Sequence, residues 1–289
     1  VFRGTITAII TPFKKDGSID EDALRRLVTF QEESGVDAIA PCGSTGESAT
    51  LTFKEHVRVV KIAVDQVKKI KVIAGTGSNS TAEAILLSRH AENAGADGIL
   101  SISPYYNKPT QEGIFRHYKA ISESISIPLM LYNVPGRTAS NMSSDTTIRL
   151  AELPGITGMK EASGDVEQIQ RIVNGRPRGF SVLSGDDSLA YRMMTMGCEG
   201  TVSVASNCVP SLVSDMISMY SAGKTDESLK MHNKLIPLFD ALFCETNPIP
   251  VKYIMSKMGY GSGTLRLPLT EITEKFRAAL DLVMKDMGL

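Results

Sequence analysis

Lys160 ends an otherwise apolar run, Gly155-Ile-Thr-Gly-Met159. An amine there suits covalent catalysis on a keto acid, because a neutral nitrogen attacks the keto carbon and a desolvated pocket favours the neutral form. On position alone, a rim lysine paired with Glu161 is the commoner outcome, since most lysines are solvated. Other residues at the ends of β-rich runs shift that balance. Ser44 and Thr45, set between Gly43 and Gly46, offer hydroxyls and backbone amides suited to a carboxylate. The same glycines could equally serve only a turn. Tyr106 and Tyr132 offer phenols, and a tyrosine beside a Schiff-base nitrogen can pass the protons that carbinolamine dehydration and enamine formation require. A core tyrosine with one satisfied hydroxyl is the plainer alternative.

These residues must be brought together by the elements that carry them. The runs Thr5–Ile10, Asp37–Ala40, Lys71–Ala74, Gly98–Ile102, Pro128–Tyr132, Ile156–Met159, Phe180–Leu183 and Gly200–Val204 read as strands alternating with helical patterns. Parallel neighbours need crossover connections, and eight is the number that closes a (β/α)8 TIM barrel. In such a barrel the polar residues just past the strands form the active site. Period-two alternation predicts that Ile156, Gly158 and Lys160 share one face, with Lys160 in the barrel mouth. Thr52-Phe-Lys-Glu55 and Ser80-Thr-Ala-Glu83 both read as capping boxes, and Gly95 as a helix C-cap. Beyond residue 223 the strand signals stop. Leu229, Leu235, Ile236, Phe239, Leu242 and Phe243 mark one helix and Ile272, Phe276, Leu280 and Val283 another, with Gly259–Gly263 as the turn between them. The expected organisation is a catalytic barrel over residues 1–222 and a helical segment over 223–289 packed on it.

The composition narrows the function. With 42% hydrophobic and 22% charged residues the chain is an ordinary soluble globule. A net charge of -1 argues against general nucleic-acid or membrane-surface binding. No apolar run approaches the roughly 18 residues of a membrane span. Cys42, Cys198, Cys208 and Cys244 form no C-x-x-C pair, and the four histidines have no metal-ligand spacing, so reduced thiols, no metal and a cytoplasmic setting are expected. No charged-then-apolar leader is visible ahead of Val1, which fits the same expectation. Val72-Ile-Ala-Gly-Thr-Gly77, with Asp97 about 20 residues on, resembles part of a dinucleotide fingerprint. The third glycine is replaced by Ser80, and a lone Gly-x-Gly is weak. A non-catalytic barrel would gain nothing from keeping Lys160, Tyr132 and Thr45 together.

Five ordered motifs carry a more specific signal: Gly43-Ser-Thr-Gly-Glu-Ser-Ala-Thr-Leu51, Pro104-Tyr-Tyr-Asn-Lys-Pro109, Tyr132-Asn-Val-Pro-Gly-Arg-Thr138, Gly158-Met-Lys-Glu-Ala-Ser163 and Asn247-Pro-Ile-Pro-Val-Lys252. Together they resemble the dihydrodipicolinate synthase family of class I aldolases over nearly the whole chain. The resemblance implies condensation of pyruvate with L-aspartate 4-semialdehyde to 4-hydroxy-tetrahydrodipicolinate, in lysine and diaminopimelate biosynthesis. It also implies a homotetramer built from tight dimers, with no metal or organic cofactor beyond the covalent imine. By motif, Lys160 resembles the Schiff-base lysine and Tyr132 the proton donor and acceptor beside it. Ser44 resembles the relay hydroxyl, and Tyr106 the phenol inserted from a neighbouring subunit. Thr45 resembles the pyruvate-carboxylate contact and Arg137 the guanidinium for the semialdehyde carboxylate, which suits its planar donor fork. Val202 falls at a further substrate-binding position.

Two features depart from the usual pattern of the resemblance. Ser44 stands where threonine is common, so the relay hydroxyl lacks the methyl that restrains χ1. Ser48, Ala49, His56, Asn79, Glu83 and Tyr105 resemble parts of the lysine-binding allosteric site of inhibited members, but Phe53 stands where some of them have histidine. N-acetylneuraminate lyases and 2-keto-3-deoxy sugar-acid aldolases share the loop, tyrosine and lysine; they generally lack the Val-Pro-Gly-Arg-Thr element, so Arg137 favours the synthase.

Overall fold

The computed structural model describes residues 2–289. Eight parallel strands, β1 (Gly4–Thr7), β2 (Ala38–Ile39), β3 (Lys71–Gly75), β4 (Gly98–Ile102), β5 (Leu129–Asn133), β6 (Ile156–Glu161), β7 (Ser181–Ser184) and β8 (Gly200–Ser203), pair in chain order and close through β1 and β8. The crossovers are helices α1 (Glu21–Glu33), α2 (Phe53–Gln66), α3 (Thr81–Ala94), α4 (Gln111–Ser122), the single turn α5 (Pro135–Thr138) with α6 (Ser144–Ala151), α7 (Val166–Gly175) and α8 (Ala190–Thr195). Helix α9 (Pro210–Ser221) follows β8, and α10 (Thr225–Ala241), α11 (Ile249–Lys257) and α12 (Glu274–Met287) complete the chain. Among the described residues no helix is long and apolar enough to cross a membrane.

Each strand is buried on both faces, which is why the strands read as short continuous apolar runs. One core lies between the strands and the helices, with Leu24, Leu27, Ile62, Ile99, Leu131 and Met159 among its members. A second fills the barrel, from Phe2 and Ile6 through Met130 and Leu183 to Tyr132 and Val134. Closure is tight where β8 meets β1: a Cβ on Gly200 would stand 2.0 Å from the Gly4 carbonyl oxygen, so only glycine fits.

Three expectations need correction. A register shift between Leu129 and Met130 breaks the alternation on β6, so Ile156 joins the outer core while Gly158 and Lys160 stay opposite the inward Met130 and Tyr132. Gly158 is required because Phe2 plugs the barrel there; a Cβ would meet its ring at 2.9 Å. The Thr52 capping box is complete, but Ser80 makes only half of one: it caps the Glu83 amide, and the Glu83 carboxylate instead takes the Ser78 hydroxyl. The last segment holds an additional helix, α11. Pro250 lies in its first turn, where a missing amide costs no helical bond.

Candidate active site

Residues past the strand ends enclose a cavity of about 140 Å³ at the C-terminal mouth of the barrel. Small side chains make the space: Ala8, Ala40 and Ala162 line it together with Gly43 and Gly185. Lys160 also lines it and is 5% exposed. Its stem runs so close to Gly185 that a Cβ there would stand 2.8 Å from the Lys160 Cε, so the glycine is what lets the lysine extend. Its Nζ sits 4.3 Å from the centre of the Tyr132 ring, the residue paired with it across β5 and β6. The rim pairing with Glu161 is not formed: among the described residues, Lys160 takes part in no ion pair.

The loop after β2 supplies the cavity's polar wall. It folds on itself, with the amides of Gly46 and Ser48 donating to the Gly43 carbonyl and that of Glu47 to the Ser44 carbonyl. The amides of Ser44 and Thr45 find no acceptor among the described residues and remain available to an anion. The Thr45 hydroxyl accepts from Asn247 Nδ2 at 2.9 Å, which leaves its own proton free to donate. Gly46 passes within 3.1 Å of backbone from both Ile9 and Cys42 at the point where a Cβ would stand.

This loop is anchored from the far end of the chain. Glu47, at φ +53, forms an ion pair with Lys252 of α11 at 2.5 Å, their side chains 0% and 2% exposed. Burial lowers the Lys252 pKa and the Glu47 carboxylate raises it in opposition. The second Glu47 oxygen accepts the Arg266 amide at 3.1 Å. The Arg266 guanidinium reaches the Thr50 carbonyl and the Glu55 carboxylate, whose pKa it holds down to about 2. Asn247 binds both substrate-side candidates, since its carbonyl accepts from Arg137 Nη2 at 3.2 Å while its amide holds Thr45. The sequence contained Asn247 and Lys252 in a motif, whereas Arg266 lay in none, and nothing local signalled that any of them hold the loop after β2.

The expected site residues are not all gathered in one chain. Lys160, Tyr132, Ser44, Thr45 and Arg137 line the same cavity. Val202 is buried inside the barrel, and Val204 is the neighbour that reaches the cavity wall. Tyr106 is 88% exposed, at φ +73, and lines neither this cavity nor the larger one beside it. That second cavity, of about 460 Å³, is lined by Ser48, Ala49, His56, Glu83 and Tyr105. Asn79 stands apart from its lining and accepts Asn107 Nδ2 through its carbonyl. His56 bonds the Gly75 carbonyl through Nε2 at 2.7 Å, has an unpartnered Nδ1, and has its pKa lowered by burial. Phe53 is half-exposed and lies edge-on to His90.

Comparison with known proteins agrees with this geometry. The model of the dihydrodipicolinate synthetase family matches residues 1–287. A 4-hydroxy-tetrahydrodipicolinate synthase of Syntrophus aciditrophicus (strain SB) is 51% identical, over 100% of this chain and 99% of that protein. Dihydrodipicolinate synthase from Aquifex aeolicus superposes with a TM-score of 0.98 at 45% identity, over 100% of this chain and 99% of its own. The chloride-inhibited dihydrodipicolinate synthase from Acinetobacter baumannii, complexed with pyruvate, gives a TM-score of 0.97 at 44% identity, with the same coverage.

Removing one partner of the buried pair should expose how much the site loop depends on it. Lys252→Met leaves the Glu47 carboxylate buried and unpaired, and should lower the unfolding free energy by about 3–5 kcal/mol. Adding Glu47→Gln to that variant should recover most of the loss. Urea unfolding of the two variants and the parent checks this; equal stability of Lys252→Met and the parent would show that the pair does not hold the loop.

Proposed function

The chain belongs to the dihydrodipicolinate synthetase family, and from that premise we propose that it condenses pyruvate with L-aspartate 4-semialdehyde through an imine on Lys160. The observation that carries the assignment is a buried lysine at a strand end, tied up by no carboxylate and seated against a tyrosine in a cavity with free amides on one wall. The pyruvate complex of the Acinetobacter baumannii relative supports the choice of keto acid.

The steps follow from the groups available. The pyruvate carboxylate accepts from the Ser44 and Thr45 amides and the Thr45 hydroxyl, which brings the keto carbon to Lys160 Nζ. Nitrogen attack gives a carbinolamine; the Tyr132 hydroxyl donates the proton with which its oxygen departs as water, leaving the imine. The Tyr132 phenolate takes a methyl proton to give an enamine, whose carbon attacks the aldehyde of the second substrate while Tyr132 returns that proton to the aldehyde oxygen. Attack of the second substrate's amine on the imine carbon then expels the Lys160 amine. Arg137 at the rim holds that substrate's carboxylate. Ser44 passes protons between Tyr132 and a Tyr106 contributed by a second copy of the chain, since its own Tyr106 stands out in solvent. A homotetramer built from such tight dimers completes the site. The family works without an external cofactor, and the four free cysteines suit a cytoplasmic enzyme. L-Lysine binds in the larger cavity, where Glu83 and the ring of His56 face a ligand of matching polarity.

Borohydride added with pyruvate should inactivate the enzyme and leave the reduced adduct on the peptide containing Lys160, as read by mass spectrometry; label on another lysine, or none, would remove Lys160 from this role. Tyr106→Phe should lower kcat by about 10²–10⁴-fold, and Lys160→Ala should abolish activity. Mixing, dissociating and reassociating the two variants makes half of the dimers hybrid, each with one intact site, so about one quarter of the parent activity should return if sites act independently. Hybrids confirmed by native mass spectrometry that stay inactive would place Tyr106 in its own subunit's site or outside catalysis. Titration with L-lysine to millimolar concentration should lower the rate, and an unchanged rate rejects the regulatory site.

A further inference from the structure

The steps above leave several buried titratable groups unused, and one of them adjoins the reacting lysine. Glu161 follows Lys160 directly and is 0% exposed. Its carboxylate accepts from the Ser163 amide at 2.6 Å and from Asn133 Nδ2 at 3.2 and 3.4 Å. Among the described residues no lysine, arginine or histidine forms an ion pair with it. Burial pushes its pKa up, while hydrogen bonds from Ser163, Asn133 and Gln168 pull the other way. A carboxylate sealed from water with no cation is costly, and a fully bonded polar cluster fixes geometry that apolar packing leaves loose.

The partner that takes up the Glu161 charge stands in the same relation to the other reacting residue. Asn133 follows Tyr132, and the strand register sets Asn133 opposite Glu161 one rung beyond Tyr132 opposite Lys160. Asn133 is itself held from behind. Its Oδ1 accepts the Met142 amide at 3.0 Å, and its Nδ2 also donates to Asn141 Oδ1 at 2.8 Å. Asn141 in turn donates to Gln168 Oε1 of α7 at 2.8 Å. The last rung of β5 and β6 is therefore cross-braced by side chains in addition to backbone bonds.

We propose that Asn133 and Glu161 are positioning residues: their hydrogen bond ties the ends of β5 and β6 together and so fixes where Lys160 Nζ stands relative to the Tyr132 hydroxyl. This rests on the reading of Lys160 as the imine-forming amine and Tyr132 as the group that passes protons to the intermediate. A misplacement of about 1 Å between reacting groups costs on the order of 100-fold in rate. The pyruvate carboxylate is held by a different element, the loop after β2, so loss of the brace acts on the chemical step far more than on binding.

Glu161→Gln should lower kcat by about 10- to 100-fold, with the KM for pyruvate within about threefold of the parent. The rate at which borohydride traps pyruvate should fall by the same factor as kcat. Asn133→Asp sets two carboxylates against each other and should lose a similar factor. The double variant Asn133→Asp with Glu161→Gln exchanges donor and acceptor, and should recover kcat to within about tenfold of the parent. Single variants with parent kcat and a lowered Tm would reduce the pair to a stability role and overturn the proposal, as would a double variant no better than the singles. Should the single variants fail to fold, Asn141→Ala strips one acceptor from Asn133 and leaves Glu161 in place. A folded Asn141→Ala with parent kcat also overturns the proposal, and a loss of about 3- to 10-fold supports it. If the parent enzyme traps no pyruvate on Lys160, the underlying reading fails. If it does, and Glu161→Gln traps equally fast, only the positioning role fails.

Discussion

An ammonium and a carboxylate 2.5 Å apart, both closed off from water, fix the mouth of the barrel. Removing two charges from solvent costs several kcal/mol each, and their attraction offsets that only where geometry is tight and the remaining lone pairs are bonded. Both conditions hold. Lys252 also lies 4.1 Å over the Phe13 ring, and Glu47 uses its second oxygen on the Arg266 amide. The pair spans 205 positions of sequence and holds Glu47 in a backbone conformation that residues other than glycine seldom adopt. From that point the rest of the wall follows. The loop's turn fixes which of its amides are free, and α11, entered one residue after Asn247–Pro248, presents Asn247 to Thr45 and Arg137 together.

Two lysines in this fold are almost equally buried, and their different surroundings separate their roles. Lys252 and Lys160 each lie over an aromatic ring, at 4.1 and 4.3 Å. An aromatic ring beside the amine is therefore common to both and decides nothing between them. The difference is the carboxylate. Lys252 has one in contact and serves as an anchor, whereas Lys160 faces open cavity volume. The imine chemistry proposed for Lys160 needs a side chain free of a counter-ion, and the barrel keeps it so by turning Glu161 to the opposite face of β6. Adjacent residues on a strand point to opposite sides, so the carboxylate nearest in sequence is the one that cannot pair with the lysine.

Much of this was legible in the residues. Parallel strands buried on both faces leave short apolar runs between helical patterns, so all eight strands could be placed, with Gly98–Ile102 matching to the residue. The site candidates were legible because strand ends converge at one end of a closed barrel, so residues scattered from Ser44 to Lys160 become neighbours. What stayed hidden has physical reasons. Helix α11 carries Pro250 in its first turn, where a missing amide costs no helical bond, and its nine residues offer too short a period to mark a helix. The irregularity near Ile156 depends on the partner strand. The pairing of Glu47 with Lys252 and the need for glycine at 185 exist only in three dimensions, and neither leaves a periodic trace. The exposed position of Tyr106 was equally illegible, because a motif does not say where on the surface its side chain stands.

The two cavities at this end of the barrel share walls, and that constrains how either could influence the other. Gly43, Ser44, Leu100, Tyr132, Arg137 and Asn247 line both. A ligand in the larger space would therefore press on the same loop that presents Ser44 and Thr45 to the smaller one. Because Glu47 is pinned at the end of that loop, displacement cannot be taken up by sliding the whole segment. The freedom that remains lies in the side chains: the Ser44 hydroxyl, which has no protein partner among the described residues, and Arg137, held by a single bond to the Asn247 carbonyl. Packed backbone transmits small shifts poorly unless an element has two arrangements. In this fold the elements with that freedom are the Ser44 rotamer, which lacks the methyl that would restrain it, and the Arg137 fork at the rim. Coupling between the cavities would therefore act through the Ser44 hydroxyl and the Arg137 guanidinium, leaving Lys160, packed against Gly185, where it stands.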